Sequence, residues 1–111
     1  FKEKLPLLTL APELEQLILT SVRQNPDEKM LLLDGSLAKN ILSNVNDASE
    51  ALSKENKAVF LIVAPQIRRH VANFIRSQLP AVNVLSFTEL PENRNVEIAY
   101  TIGGENETDE N

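Results

Sequence analysis

A strand that is apolar at every position has to be covered on both faces. The run Ala58-Val59-Phe60-Leu61-Ile62-Val63 is of this kind: continuous, rich in β-branched side chains, and too short to be a helix. It predicts a buried strand, and that constrains the fold more than any other feature of the chain. Ala64-Pro65 follows and predicts a helix start, because Pro at the first helical position gives up no N–H that the helix needs. Ile67, Val71, Phe74, Ile75 and Leu79 then make one apolar stripe, with Arg69, Asn73 and Arg76 on the opposite side. Pro80 ends the helix, and Val82 to Phe87 reads as a second strand. Strand, helix and strand in this order predict a parallel, right-handed βαβ unit.

The flanking segments complete the domain. Pro6 to Leu10 is short and apolar, a candidate strand. Pro12 fits the first turn of a helix, with Glu13 and Glu15 placed to suit its dipole and Leu14, Leu17, Ile18 and Val22 on one face; Asn25-Pro26 stops it. Lys29 to Leu33 is strand or extended chain. Asp34-Gly35-Ser36 offers side-chain oxygens to cap a helix carrying Leu37, Ile41, Val45, Ala48 and Leu52. Near the end, Val96, Ile98, Tyr100 and Ile102 alternate with Glu97, Ala99 and Thr101, the period of an edge strand with one wet face. The link Thr88–Asn95 is short for a crossover, so this strand is expected antiparallel to its neighbour. The expected fold is therefore α/β (α+β): a small mixed sheet with a βαβ unit, amphipathic helices packed on it and an antiparallel C-terminal edge strand. Residues 1–104 form one domain, and 105–111 an acidic, disordered tail.

Composition excludes several function classes. The chain has 111 residues and no cysteine, so a disulfide scaffold, a thiolate metal site and a cysteine nucleophile are all ruled out. Of the net charge of −5, four units lie in Glu105–Asn111, which leaves the folded part close to neutral. Neither part has the basic field of a nucleic-acid binder or the basic helix face of a membrane-surface protein. No apolar run approaches the roughly 20 residues that span a bilayer. The chain opens Phe1-Lys2-Glu3-Lys4 without Met and without the order of a signal peptide. It is read as a carboxy-terminal piece of a longer protein, with a processed mature chain as the alternative.

Residues able to do chemistry are sparse. His70 is the only histidine, on the flank of an apolar helix stripe, where the structural reading is a boundary residue. No second His lies at metal-ligand spacing, and no calcium-loop frame is present. Asp34-Gly35-Ser36 lacks the glycines of a phosphate loop and is accounted for by capping. Ser86 lacks the flanking glycines of a nucleophile elbow. No catalytic residue, metal ligand or cofactor site is assigned. Arg69, Asn73 and Arg76 are the candidate protein-contact residues; the alternative for that face is simple solvation.

One ordered set of motifs carries more. Phe60-Leu61-Ile62-Val63-Ala64-Pro65-Gln66-Ile67-Arg68, then Leu79-Pro80, then Val84-Leu85-Ser86-Phe87-Thr88-Glu89-Leu90-Pro91 and a strand ending near Ile102-Gly103 resemble the carboxy-terminal end of the bacterial flagellar and type III secretion export-gate family (FlhA-like, FHIPEP). Leu8-Thr9-Leu10, Pro12, Leu14-Glu15, Leu31-Leu32-Leu33 and Leu37-Ala38 fit the preceding part, so the resemblance spans most of residues 5–104. The resemblance implies the last cytoplasmic subdomain of a protein whose missing N-terminal half spans the inner membrane, with the flagellar system favoured over the virulence one. It implies a nine-membered ring of copies at the cytoplasmic face, contacts with export substrates, chaperones and the export ATPase complex, and no enzyme activity or cofactor. It also implies rigid-body motion about a hinge near Phe1–Pro6 or Gln24–Glu28. Two competing readings are a small phosphotransfer or hydrolytic enzyme built on His70 or Ser36, and a stand-alone regulatory α/β domain of the anti-sigma-antagonist type with Ser36 as its phosphorylatable residue.

Overall fold

In the computed structural model, residues 4–55 and 58–103 are described. The order is β1 (Leu5–Leu10), α1 (Pro12–Gln24), α2 (Gly35–Ser53), β2 (Val59–Val63), α3 (Arg68–Gln78), β3 (Val82–Ser86), a short 3-10 turn at Phe87–Glu89, and β4 (Val96–Ile102). The apolar run is indeed a central strand. Val59, Leu61 and Val63 are buried on one face and Ile62 on the other. β2 pairs with β3 in parallel, Val59 beside Val82 through to Val63 beside Ser86, with α3 as the connection.

Four strands lie in the order β3-β2-β1-β4. One core cluster joins Leu8 and Leu10 of β1, Leu14 and Ile18 of α1, Ile41, Val45 and Leu52 of α2, and Val71 and Ile75 of α3 to the odd-numbered residues of β2. All three helices therefore cover the same face of the sheet. On the opposite face Leu7 and Ile62 are also buried, so β1 and β2 are closed on both sides.

The expected antiparallel edge strand is not there. β4 is an edge strand, but it runs parallel to β1, with Leu5 beside Val96 and Leu10 beside Ile102, and the sheet is parallel throughout. The reason is reach. β4 lies three strand spacings from β3, about 14 Å, and the chain must also travel back the length of a strand, about 17 Å. That diagonal is roughly 22 Å, below the ~30 Å that nine residues can span at most, and Phe87–Asn95 crosses it with a 3-10 turn at Phe87–Glu89 and a second turn at Pro91–Arg94. No crossover helix is required. A register shift between Leu7 and Leu8 interrupts the β1–β4 ladder, so the alternation in β4 does not give one dry face. Val96, Ile98 and Tyr100 are exposed, while Ile102 is buried.

Other boundaries moved less. α3 begins at Arg68 rather than at Pro65, because Ala64–Ile67 first forms a turn in which the Ile67 N–H donates to the Ala64 carbonyl at 3.1 Å. Lys29–Leu33 is not a strand: the chain bends at Lys29–Met30 and runs on without regular structure to Leu33. Asp34 caps α2 as expected, its carboxylate accepting from the N–H groups of Ser36 and Leu37. Gly103 ends the described chain with φ +82°, a conformation that favours glycine. The acidic segment 105–111 lies outside the described residues.

Candidate protein-contact surface

α3 is clamped on three sides, and this decides what its fourth side presents. Ile67, Val71 and Ile75 are almost fully buried and fix the rotation of the helix over the sheet. Arg69 and Arg76, about half a turn away, are exposed. On one flank the His70 ring nitrogen Nε2 lies 2.9 Å from the Glu28 carbonyl, and the Asn73 amide donates to the Lys29 carbonyl at 3.2 Å. On the other flank the Arg68 guanidinium donates to Glu89 Oε1 at 2.8 Å.

The Arg68 contact belongs to a compact device. Glu89 Oε1 also accepts the Ser86 backbone N–H at 2.7 Å, and the Ser86 and Thr88 hydroxyls meet at 2.6 Å. Ser86 and Glu89 form a capping box around the 3-10 turn. The Ser86 N–H, and next the Arg68 guanidinium, hold the Glu89 carboxyl below its ordinary value. The turn leaves Phe87 projecting, 58% exposed, beside the start of α3.

Of the three expected contact residues, the structure brings Asn73 and Arg76 together and leaves Arg69 beside them on the same helix side. Asn73 uses both ends of its amide: Nδ2 holds Lys29, and Oδ1 accepts from Arg76 Nη2 at 3.0 Å. It is a fastener that also orients Arg76. Arg69 and Arg76 are the projecting charges.

Residues considered for chemistry have structural partners. His70 pins the 25–30 segment to α3. The Ser36 hydroxyl donates to Asp34 Oδ2 at 2.7 Å. That bond first, and the N–H groups of Leu37 and Ser36 after it, hold the Asp34 carboxyl below its ordinary value. These contacts are those of a helix cap. Ser86 is buried. Among the described residues no three His, Asp or Glu side chains are grouped to hold a metal.

Two important contacts escaped the sequence reading. Glu15 does more than suit a helix dipole: its Oε2 accepts the Ala64 N–H at 2.8 Å, tying α1 to the end of β2. No local signal announces a contact between residues so far apart in sequence. The Glu89 clamp did have a signal, the S-x-x-E spacing of Ser86 and Glu89.

The profile of the FHIPEP family matches residues 1–95. The flagellar biosynthesis protein FlhA of Helicobacter pylori is 37% identical over 100 residues, covering 89% of this chain and 14% of its own length. The chain thus spans about one seventh of that relative. Among solved structures, nonameric EPEC SctV-C aligns over 88% of this chain and 29% of its own, with a TM-score of 0.71 at 22% identity. The Chlamydia pneumoniae CdsV and CdsO protein complex aligns over 91% and 30%, with a TM-score of 0.67 at 22% identity. At these identities the structures establish a shared fold.

Proposed function

The chain belongs to the FHIPEP family, and on that premise we propose that it works as a cytoplasmic subdomain of a bacterial protein-export gate by protein contact, without catalysis. The match over residues 1–95 carries this reading. In the intact protein the subdomain sits at the cytoplasmic face of the inner membrane. It stands in a ring of copies and meets export substrates, their chaperones and the export ATPase complex. The nonameric assembly of SctV-C and the pairing of CdsV with CdsO support the ring and the presence of a further partner. The fastened α3 supports a contact role, because a helix held on three sides presents Arg69 and Arg76 at little entropic cost.

The hinge belongs outside the core. Gln24–Glu28 joins two helices that share one cluster, and His70 pins Glu28. Leu5 and Pro6 are already in β1. The other expected hinge position, near Phe1–Pro6, lies partly outside the described residues, and we take rigid-body motion of the subdomain to pivot there.

The test is removal of residues 34–103 from a full-length family member, with expression and ring assembly followed in parallel. Loss of secretion with both retained supports the reading. Undiminished secretion contradicts it.

A further inference from the structure

Helix α3 holds more than its own place. Pro26 to Met30, between α1 and α2, are all exposed, so burial does not fasten them. Both ends of this stretch are fixed. Asn25 closes α1, its backbone N–H and its side-chain amide donating to the Ser21 carbonyl at 3.1 and 2.9 Å. Beyond Met30, Leu31 is buried in the core, and the Ser21 hydroxyl donates to the Leu32 carbonyl at 2.7 Å. Between these points the chain makes one turn of its own, the Glu28 N–H donating to the Asn25 carbonyl at 3.1 Å. Among the described residues, the hydrogen bonds that tie 26–30 to the rest of the domain both come from α3: His70 Nε2 at the Glu28 carbonyl and Asn73 Nδ2 at the Lys29 carbonyl. A segment anchored at its ends and held in the middle by two exposed side-chain bonds is a strap. It opens locally at a cost well below that of unfolding.

One of the two ties is itself under control. The Asn73 amide has a donor end and an acceptor end, and both are used: Nδ2 on Lys29, and Oδ1 accepting from Arg76 Nη2 at 3.0 Å. A guanidinium can only donate. With Arg76 in place the amide turns its oxygen towards it, and its NH2 is left facing the Lys29 carbonyl. Without Arg76 the flipped amide, which sets oxygen against oxygen at Lys29, is no longer opposed by a donor meeting a donor. The tie is thus set by a side chain on the exposed side of α3. Arg69, exposed on the same side, has no part in this chain of bonds.

We infer that the 26–30 strap is a conformational device coupled to Arg76 through Asn73. It stays closed while Arg76 bonds Asn73 and opens more often when Arg76 is drawn away. An acidic group on a partner is what draws it away; that trigger rests on the contact role proposed for α3, whereas the coupling does not.

A lysine-specific protease tests the coupling on the 111-residue chain. Cleavage after Lys29 reads strap opening, and cleavage after Lys39, inside α2, reads unfolding of the domain. A rise at Lys29 that exceeds the rise at Lys39 is therefore local opening, whatever a variant does to overall stability. The Lys29 rate is expected to rise about fivefold in Asn73→Ala, for the loss of one hydrogen bond. It should rise about twofold in Arg76→Ala, where roughly half of the amide orientations lack the bond, and stay at the wild-type value in Arg69→Ala. Because Arg76 acts only through Asn73, the double variant Asn73→Ala/Arg76→Ala should be cut no faster than Asn73→Ala. The inference is overturned if Arg76→Ala or Asn73→Ala leaves Lys29 cleavage unchanged, if Arg69→Ala raises it as much as Arg76→Ala, or if the double variant is faster still. It is also overturned if the wild-type chain is cut after Lys29 no sooner than after Lys39. Secretion by a full-length family member is not read in this experiment, so failure here leaves the contact role of α3 standing.

Discussion

At the residue scale, a few side chains set the geometry. Gly103 is one: a Cβ built there lies 2.6 Å from Leu14 Cδ2, at a φ that ordinary residues avoid. Gly103→Ala is expected to cost about 1–2 kcal/mol in urea unfolding, the backbone conformation dominating because the Leu14 side chain can yield. Glu15→Ala should cost about 1–3 kcal/mol by leaving the Ala64 N–H without its acceptor. Glu89 gives a pH signature. Its carboxyl titrates below the ordinary 4.5, so its contribution is complete above that value and fades as pH falls through the lower folded-state value. Glu89→Gln should therefore lower the urea midpoint at pH 6, and its gap from wild type should narrow towards pH 3. A gap that is constant with pH would show that the carboxylate charge is not what the turn uses.

At the scale of elements, burial was legible where periodicity was strong. The stripe from Ile41 to Leu52 and the unbroken run of β2 imply their own environments, and both are buried. Ile75, fully buried under α3, should cost about 2–5 kcal/mol when cut to Ala. Strand order was not legible, because pairing partners are chosen by long-range packing. Nothing in Val96–Ile102 says that its neighbour is Leu5–Leu10 rather than β3. The link length misled, since the nine residues Phe87–Asn95 return the chain to the far side of β1 with two turns and no crossover helix. Because the chain has no cysteine, the β1–β4 register can be checked by cross-linking. Thr9 and Thr101 are paired, with their hydroxyl oxygens 3.4 Å apart. A Thr9→Cys/Thr101→Cys variant should oxidise to an intramolecular disulfide, and Leu5→Cys/Thr101→Cys should not. The reverse outcome would restore the antiparallel arrangement. The contact face was legible only as three residues on one helix side; that Asn73 is a fastener depended on the 25–30 segment lying beside it.

At the scale of the molecule, one core holds three helices to one face of a parallel sheet, so cooperative unfolding is expected. Ser21, Arg68, His70 and Asn73 pin loops to helices. The proposed function rests on surface, the exposed Arg69 and Arg76 of α3. The central claim is that the subdomain acts through contact and not through a reaction centre. The most direct measurement compares secretion by a full-length family member carrying Arg69→Glu/Arg76→Glu with one carrying Ser36→Ala/His70→Gln, at matched expression and stability. The account predicts a drop of about tenfold for the arginine pair and wild-type export for the other. Intact export without the arginines, together with loss on changing Ser36 and His70, would contradict it.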